Sequence, residues 1–245
     1  RDNYDPRSLD PALSTDVPTG RAVAYVFDGL TRFTPDAGVL PGLAERWELA
    51  GNTPPIYQFH LRRGVTFHDG TPFVARHVIA SWERALTPST KGGRAEPLLP
   101  ILGARDFADG KAKSIRGLRA PDDSTLIVAL EQPLGIFPKL LAMPIASVVP
   151  LNLRPDHPVG TGPWRFVEWK HDDYLLFARN ESYWGGAPKA DSLRARIIAE
   201  PSTAVAEFAS GNVDVLLVPP GDTRRWDGAA NHAAMMSVPA LQLVY

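Results

Sequence analysis

The sequence predicts a mixed α/β (α+β) fold, and three observations carry that prediction. The hydrophobic period switches within one stretch: Tyr57, Phe59 and Leu61 alternate with polar residues, whereas from Val74 apolar residues recur every fourth position. Segments 114–130 and 164–178 each read as two short strands around a polar turn. The last third, from 193 to 218, has a strand–helix–strand pattern.

Taken in order, residues 1–20 are polar and turn-rich, and 21–30 form an expected helix with Ala22, Val26 and Leu30 on one face. Residues 34–38 are a turn. The strand at 57–61 is broken by Arg63-Gly64 and resumed by Val65 and Phe67. His68-Asp69-Gly70-Thr71-Pro72 is a dense turn signal. Thr71 is the expected cap of the next helix and Pro72 suits its first turn, with Val74, Val78, Trp82 and Leu86 along the buried stripe. Residues 87–96, rich in Gly, Pro and Ser, form a loop.

In the first hairpin, Ile115 and Leu118 belong to one arm, Pro121-Asp122-Asp123 to the turn, and Leu126, Val128 and Leu130 to the other arm. Phe137, Leu140 and Leu141 mark a short helix that must stop by Met143, before Pro144. In the second hairpin, Trp164 and Trp169 are five positions apart, which places them on opposite faces of a regular strand. Leu193, Ala195 and Ile197 form a strand, Pro201 starts a helix, and Gly211 is its left-handed terminator. Val213–Val218 is a nearly continuous apolar run, expected to be a parallel strand covered on both faces. Residues 241–245 read as the start of another strand.

The 245 residues suffice for one large or two modest cores. A net charge of −1 offers no electrostatic reason to expect nucleic acid or an anionic membrane as partner. Hydrophobic content of 44% and charged content of 22% are those of an ordinary globular protein. No apolar run approaches the ~20 residues that span a bilayer. Without cysteine the chain has no disulfide, thiolate nucleophile or cysteine metal site. The 24 prolines sit mostly at segment borders, which argues for rigid loops.

The motifs of chemistry-bearing residue types have simpler readings. His60, His68-Asp69 and His77 offer metal-ligand residue types, but His60 lies on an outward strand face and His68-Asp69-Gly70 has turn composition. Gly160-Thr161-Gly162-Pro163 lacks the Lys-Ser/Thr of a phosphate loop, and its proline removes an amide donor. It suits a turn that brings backbone close to a ligand or hinge. Asp122-Asp123 and Asp172-Asp173 fall in turns, and no nucleophile elbow or H-E-x-x-H motif is present. No catalytic residue and no metal ligand is assigned.

FHLRRGVTFHDGTPFVARHV, from Phe59 to Val78, resembles the signature of the family 5 extracellular solute-binding proteins, the peptide-, oligopeptide- and nickel-type receptors of ABC importers. Pro41-Gly42-Leu43-Ala44-Glu45-Arg46-Trp47-Glu48 resembles the family's PxLAxxW element. Pro158-Val159-Gly160-Thr161-Gly162-Pro163-Trp164 resembles its PVGTGP element, followed by Arg179-Asn180-Glu181-Ser182-Tyr183-Trp184-Gly185. Leu9-Asp10-Pro11 resembles its early LDP element.

The resemblance implies a type II periplasmic-binding-protein-like lobe from residues 1–30 and 156–245. Residues 31–155 would form an inserted α+β subdomain, and the second lobe is expected to be missing. It implies a peptide or other small solute as ligand, membrane permease subunits as partners, a monomer, no cofactor, and a periplasmic or extracellular location. No apolar stretch follows Arg1–Tyr4, so a mature or trimmed form is expected. Residues implied to approach ligand are Ser14, Thr15, Pro18 and Thr19 in the loop after LDP, then Met143, Ile145 and Ala146, then Gly160 and Thr161.

There are two departures. Members that bind anionic metal chelates have an arginine where this chain has Ile145, which favours an apolar or peptide-like ligand. In the signature helix, His77 replaces the usual acid and Val74 the usual capping threonine. The aspartate that pairs with a peptide's amino terminus in the family would lie past Tyr245, so weak or no peptide binding by these residues alone is expected. The alternatives are a metal-dependent phosphohydrolase using His60, His68 and Asp69, and a non-transport interaction module.

Overall fold

The computed structural model describes residues 2, 4–92 and 94–218. Asp10 caps a 3₁₀ turn at Pro11–Leu13, its carboxylate accepting from Ala12 N–H at 3.0 Å. Helix α1 is Val17–Val26, earlier than the expected 21–30. The cause is Asp16, whose Oδ1 accepts from Thr19 N–H at 2.9 Å, with Pro18 tolerated in the first turn. The helix stops because Phe27 turns extended, at φ −121° and ψ 151°.

Strands β1 (Thr31–Phe33) and β2 (Val39–Pro41) pair antiparallel around the expected turn. Strand β3 (Ala44–Asn52) pairs with β4 (Pro55–Leu61), whose strict alternation buries Tyr57, Phe59 and Leu61 as predicted. Helix α2 (Ala75–Leu86) buries Val78, Trp82 and Leu86. Its cap is neither Thr71 nor any oxygen-bearing side chain. Val74 occupies the cap position, and its N–H donates 3.1 Å to Nδ1 of His77, so the imidazole does the work of an acid three residues into the helix. Thr71 instead receives Asp69 in a local turn, its N–H donating at 2.9 Å.

A short helix α3 (Ala104–Ala108) leads to the hairpin β5 (Leu118–Asp122) and β6 (Thr125–Ala129). The four-stranded sheet runs β3-β4-β6-β5, all antiparallel. After helix α4 (Phe137–Leu140) and a 3₁₀ turn at Pro144–Ala146, strands β7 (Trp164–Lys170), β8 (Tyr174–Arg179) and β9 (Ser192–Arg196) form a second antiparallel sheet. Helix α5 (Pro201–Ala209) follows, and Gly211 takes φ +75° as predicted.

Two hydrophobic clusters result. The larger lies between the four-stranded sheet, α2 and the 98–148 connections, with Phe59, Trp82, Leu98, Leu126 and Phe137 fully buried. The smaller joins Leu9, Ala22, Val23, Val26 and Phe27 to Val149, Leu175, Phe177 and Ala195. Arg84 on α2 spans from one to the other, bonding Asp10 with both guanidinium arms. Trp82 ties α2 to the 144–146 turn, its indole N–H donating 3.0 Å to the Ala146 carbonyl.

Two further expectations fail for physical reasons. The register of β7 against β8 slips between Phe166 and Glu168, a bulge at Val167 that turns Trp169 onto the face of Trp164 and Phe166. All three pack against the smaller cluster, so the two tryptophans share a face. Residues 213–218 form no strand, and Val215 and Leu217 are exposed. A doubly covered strand needs neighbours on both edges, and among the described residues β9 pairs only with β8, with a single bridge from Asp2 to Ile197 just past its end. The expected strand at 241–245 lies outside the described residues.

Candidate ligand-binding cleft

Where α1 ends, the backbone of Val26 meets the 160–163 loop at van der Waals contact. Gly162 N–H donates 2.9 Å to the Val26 carbonyl. A Cβ on Gly160 would fall 2.0 Å from that oxygen, and one on Gly162 would fall 2.6 Å from the Val26 carbonyl carbon, so both positions require glycine for close approach.

His68 holds the same loop from the other side. Its own N–H donates 2.8 Å to the Gly160 carbonyl, its Nδ1 accepts from Gly160 N–H at 3.3 Å, and its Nε2 lies 2.9 Å from the Gly162 carbonyl. Gly160 N–H can donate only to an unprotonated Nδ1, so the neutral tautomer with its proton on Nε2 satisfies both ends. Burial pushes the imidazole's pKa down, which favours that neutral form.

Next along the chain from α1 is Asp28. Its Oδ2 accepts from Thr161 Oγ1 at 2.9 Å and Trp184 Nε1 at 2.9 Å, and its Oδ1 from the Tyr183 hydroxyl at 3.2 Å. Burial raises the carboxyl's pKa, with these three bonds opposing the rise. Burial, then the nearby Asp28 charge, pushes the Tyr183 phenol up. The Arg62 guanidinium lies 4.5 Å from the Trp184 ring centre, and its Nε donates 2.8 Å to Gly42.

Above this network is a cleft of about 330 Å³. Asp28, Tyr183, Arg32 and Ser147 bring polar groups to it, and Val23, Phe27, Phe33, Ala142, Pro144 and Pro163 bring apolar ones. The turn at 144–146 packs beside it, and Ser14 lies near Gly20, close to Pro144.

The sequence-derived candidates divide accordingly. Ser14 and Thr15 are half-buried between the 3₁₀ turn and α1, on the Pro144 side. Pro18 and Thr19 are not in a loop; both are buried in the first turn of α1, where Thr19 Oγ1 accepts from Arg7 N–H at 2.9 Å and donates to Asp16. Met143 is half-buried, Ile145 and Ala146 are core residues, and Gly160 and Thr161 are buried with their polar groups committed internally. Asp28 carried no signal in the sequence, because the expected helix over 21–30 placed it inside a helix, whereas α1 ends at Val26. Tyr183 and Trp184, read as a packing element, supply hydrogen bonds as well.

The proposed hydrolase triad is not assembled. His60 Nε2 lies 3.1 Å from Glu48 Oε1 on the outer sheet face, while His68 is spent on the glycine loop. Among the described residues no three His, Cys, Asp or Glu side chains converge as a metal would require. None of the described helices is long and apolar enough to cross a membrane.

Comparison with known proteins fits this geometry. The family description "Bacterial extracellular solute-binding proteins, family 5 Middle" matches residues 38–241. The periplasmic oligopeptide-binding protein OppA of Escherichia coli (strain K12) is 31% identical over 223 residues, covering 85% of this chain and 40% of the relative. The dipeptide-binding protein DppE of Bacillus subtilis (strain 168) is 28% identical over 226 residues, covering 88% and 41%. The crystal structure of Haemophilus influenzae OppA in complex with RPPGFSPFR superposes with a TM-score of 0.82 at 27% identity, over 91% of this chain and 46% of that one. The chain thus has the fold of type II periplasmic binding proteins and spans less than half the length of these relatives.

Proposed function

The chain belongs to the family 5 bacterial extracellular solute-binding proteins, and from that premise we propose that it is the solute-capturing part of an ABC importer receptor, with a peptide or oligopeptide as cargo. The observation that carries the reading is the cleft beside Pro144, bordered by the Ser14 side of α1 and floored by the Asp28 network. A receptor needs a rigid half-site, and three donors on one carboxylate together with two backbone contacts fix this floor.

On this reading residues 1–30 and 156–245 are the first lobe and 31–155 the appended subdomain. The two hydrophobic clusters support that division, each drawing nearly all its members from one of these sets. Ser14, Thr15, Met143 and Pro144 lie on the cargo side, while Ile145 and Ala146 back the turn from the core. Gly160 and Thr161 support it from beneath, and Pro18 and Thr19 fix the helix start. Hinge closure of a second lobe over the cleft would bury the cargo, and the closed form would dock on membrane permease subunits. The receptor is periplasmic or extracellular, acts as a monomer, and performs no covalent chemistry.

The names of the matched relatives, oligopeptide- and dipeptide-binding proteins, support the choice of cargo. Calorimetric titration of di- to pentapeptides tests it. A receptor carrying this chain together with a second lobe is expected to bind in the micromolar range or tighter, and this 245-residue chain alone far more weakly. Failure of every peptide on the two-lobed form would sink the cargo assignment.

A further inference from the structure

Two side chains in the cleft make no side-chain hydrogen bond or ion pair among the described residues, although the Arg32 charge is felt by Asp28. Ser147 is 7% exposed and lines the cleft. Its N–H donates to the Pro144 carbonyl, but its hydroxyl bonds nothing among the described residues. Buried hydroxyls are nearly always paired, so an unpaired one in a cavity wall marks a place for a ligand's acceptor. Arg32, exposed on β1, lines the same cleft with its guanidinium 5.7 Å from the Trp184 ring centre. No carboxylate among the described residues comes within ion-pair distance of it. Asp28, the acid that lines the cleft with it, already accepts from Thr161, Tyr183 and Trp184.

The rest of the lining is largely apolar, from Val23, Phe27, Phe33, Ala142, Pro144 and Pro163. We propose that this cleft binds the carboxylate end of an amphipathic ligand, with Arg32 as its ionic partner, Ser147 as a neutral donor and the apolar wall around its body. This deepens the receptor reading and rests on it for the cleft's role.

The test titrates N-acetyl-leucine, and separately N-acetyl-leucinamide, into the ¹⁵N-labelled 245-residue chain at neutral pH and low salt, following the amides of the cleft residues. The two probes differ only in carrying a carboxylate or a neutral amide. The carboxylate is expected to bind about tenfold tighter, the gain of one charge-assisted contact. Arg32→Gln should abolish that preference, Arg32→Lys should restore part of it, and Ser147→Ala should weaken the carboxylate about threefold. Arg32 is exposed, so its variants should keep the wild-type amide spectrum outside the cleft.

Equal binding of the two probes, a preference that survives Arg32→Gln, or no shift of cleft amides with either probe would each overturn the proposal. Peptide binding by a two-lobed receptor without a carboxylate preference here would sink this inference alone. A preference here without any peptide binding would sink the cargo assignment alone.

Discussion

His68 Nε2 and the Gly162 carbonyl oxygen meet at 2.9 Å although 94 positions separate them in the chain. With the Gly160 N–H on Nδ1, one neutral imidazole thus fastens the turn after β4 to the loop that enters the second sheet. Replacing it by alanine should cost about 1–3 kcal/mol, because two buried backbone groups lose their partner. Urea denaturation measures this, and a loss below ~0.5 kcal/mol would show that water substitutes freely.

The same residue gives a pH dependence whose sign follows from its lowered pKa. The folded state holds the proton less tightly than the unfolded chain, so between the folded value and about 6.5 the unfolded state binds more protons. His68's contribution is therefore complete above pH ~6.5 and lost as pH falls through the folded value. His77 is shifted the same way, also by burial. Stability measured from pH 8 to 5 should fall for the wild type and fall less for His68→Gln. Parallel curves would refute the assignment.

Asp28 accepts from three donors, the Thr161 and Tyr183 hydroxyls and the Trp184 indole. Asp28→Asn exchanges one acceptor oxygen for a donor and should destabilise by about 1–3 kcal/mol. Thr161→Val, which removes a single donor while keeping volume, should cost less. If the order were reversed in thermal or urea unfolding, Asp28 would not be the centre of the network.

Gly160→Ala forces a methyl to 2.0 Å from the Val26 carbonyl oxygen, a backbone atom that cannot step aside. Loss of soluble protein, or a deficit above ~3 kcal/mol, is expected. Gly135→Ala is the control: a Cβ there meets nothing within 4 Å, so its effect should stay within about 0.5 kcal/mol.

Helix α2 starts at a valine with no side-chain cap bond of its own. Val74→Thr offers an oxygen to the first-turn amides and should add about 0.5–1 kcal/mol, readable as a raised urea midpoint at unchanged slope. No gain would mean that the first-turn amides are already satisfied without a side-chain cap.

How much of this was legible in the residues can be followed element by element. The alternation at Tyr57, Phe59 and Leu61 and the four-residue stripe through Val78, Trp82 and Leu86 announced β4 and α2, and the ordered blocks from Pro41 to Trp184 announced the family. The site was less visible. Its segments were singled out, yet Thr161 faces Asp28, Thr19 lies inside α1, and neither Arg32 nor Ser147 stood out among many arginines and serines.

By itself the sequence determined what depends on near neighbours: the period of each buried face, the turns, the left-handed Gly211 and the glycines at 160 and 162. Those choices are made by sterics and hydrogen bonds spanning a few residues. Only the tertiary structure decided which strands pair, that a bulge at Val167 brings Trp169 beside Trp164, that Val213–Val218 gains no strand partner among the described residues, and that Asp28 gathers donors from positions 161, 183 and 184. Each of these is settled by contacts between distant segments, whose free energy depends on how whole surfaces fit and leaves no mark in local spacing.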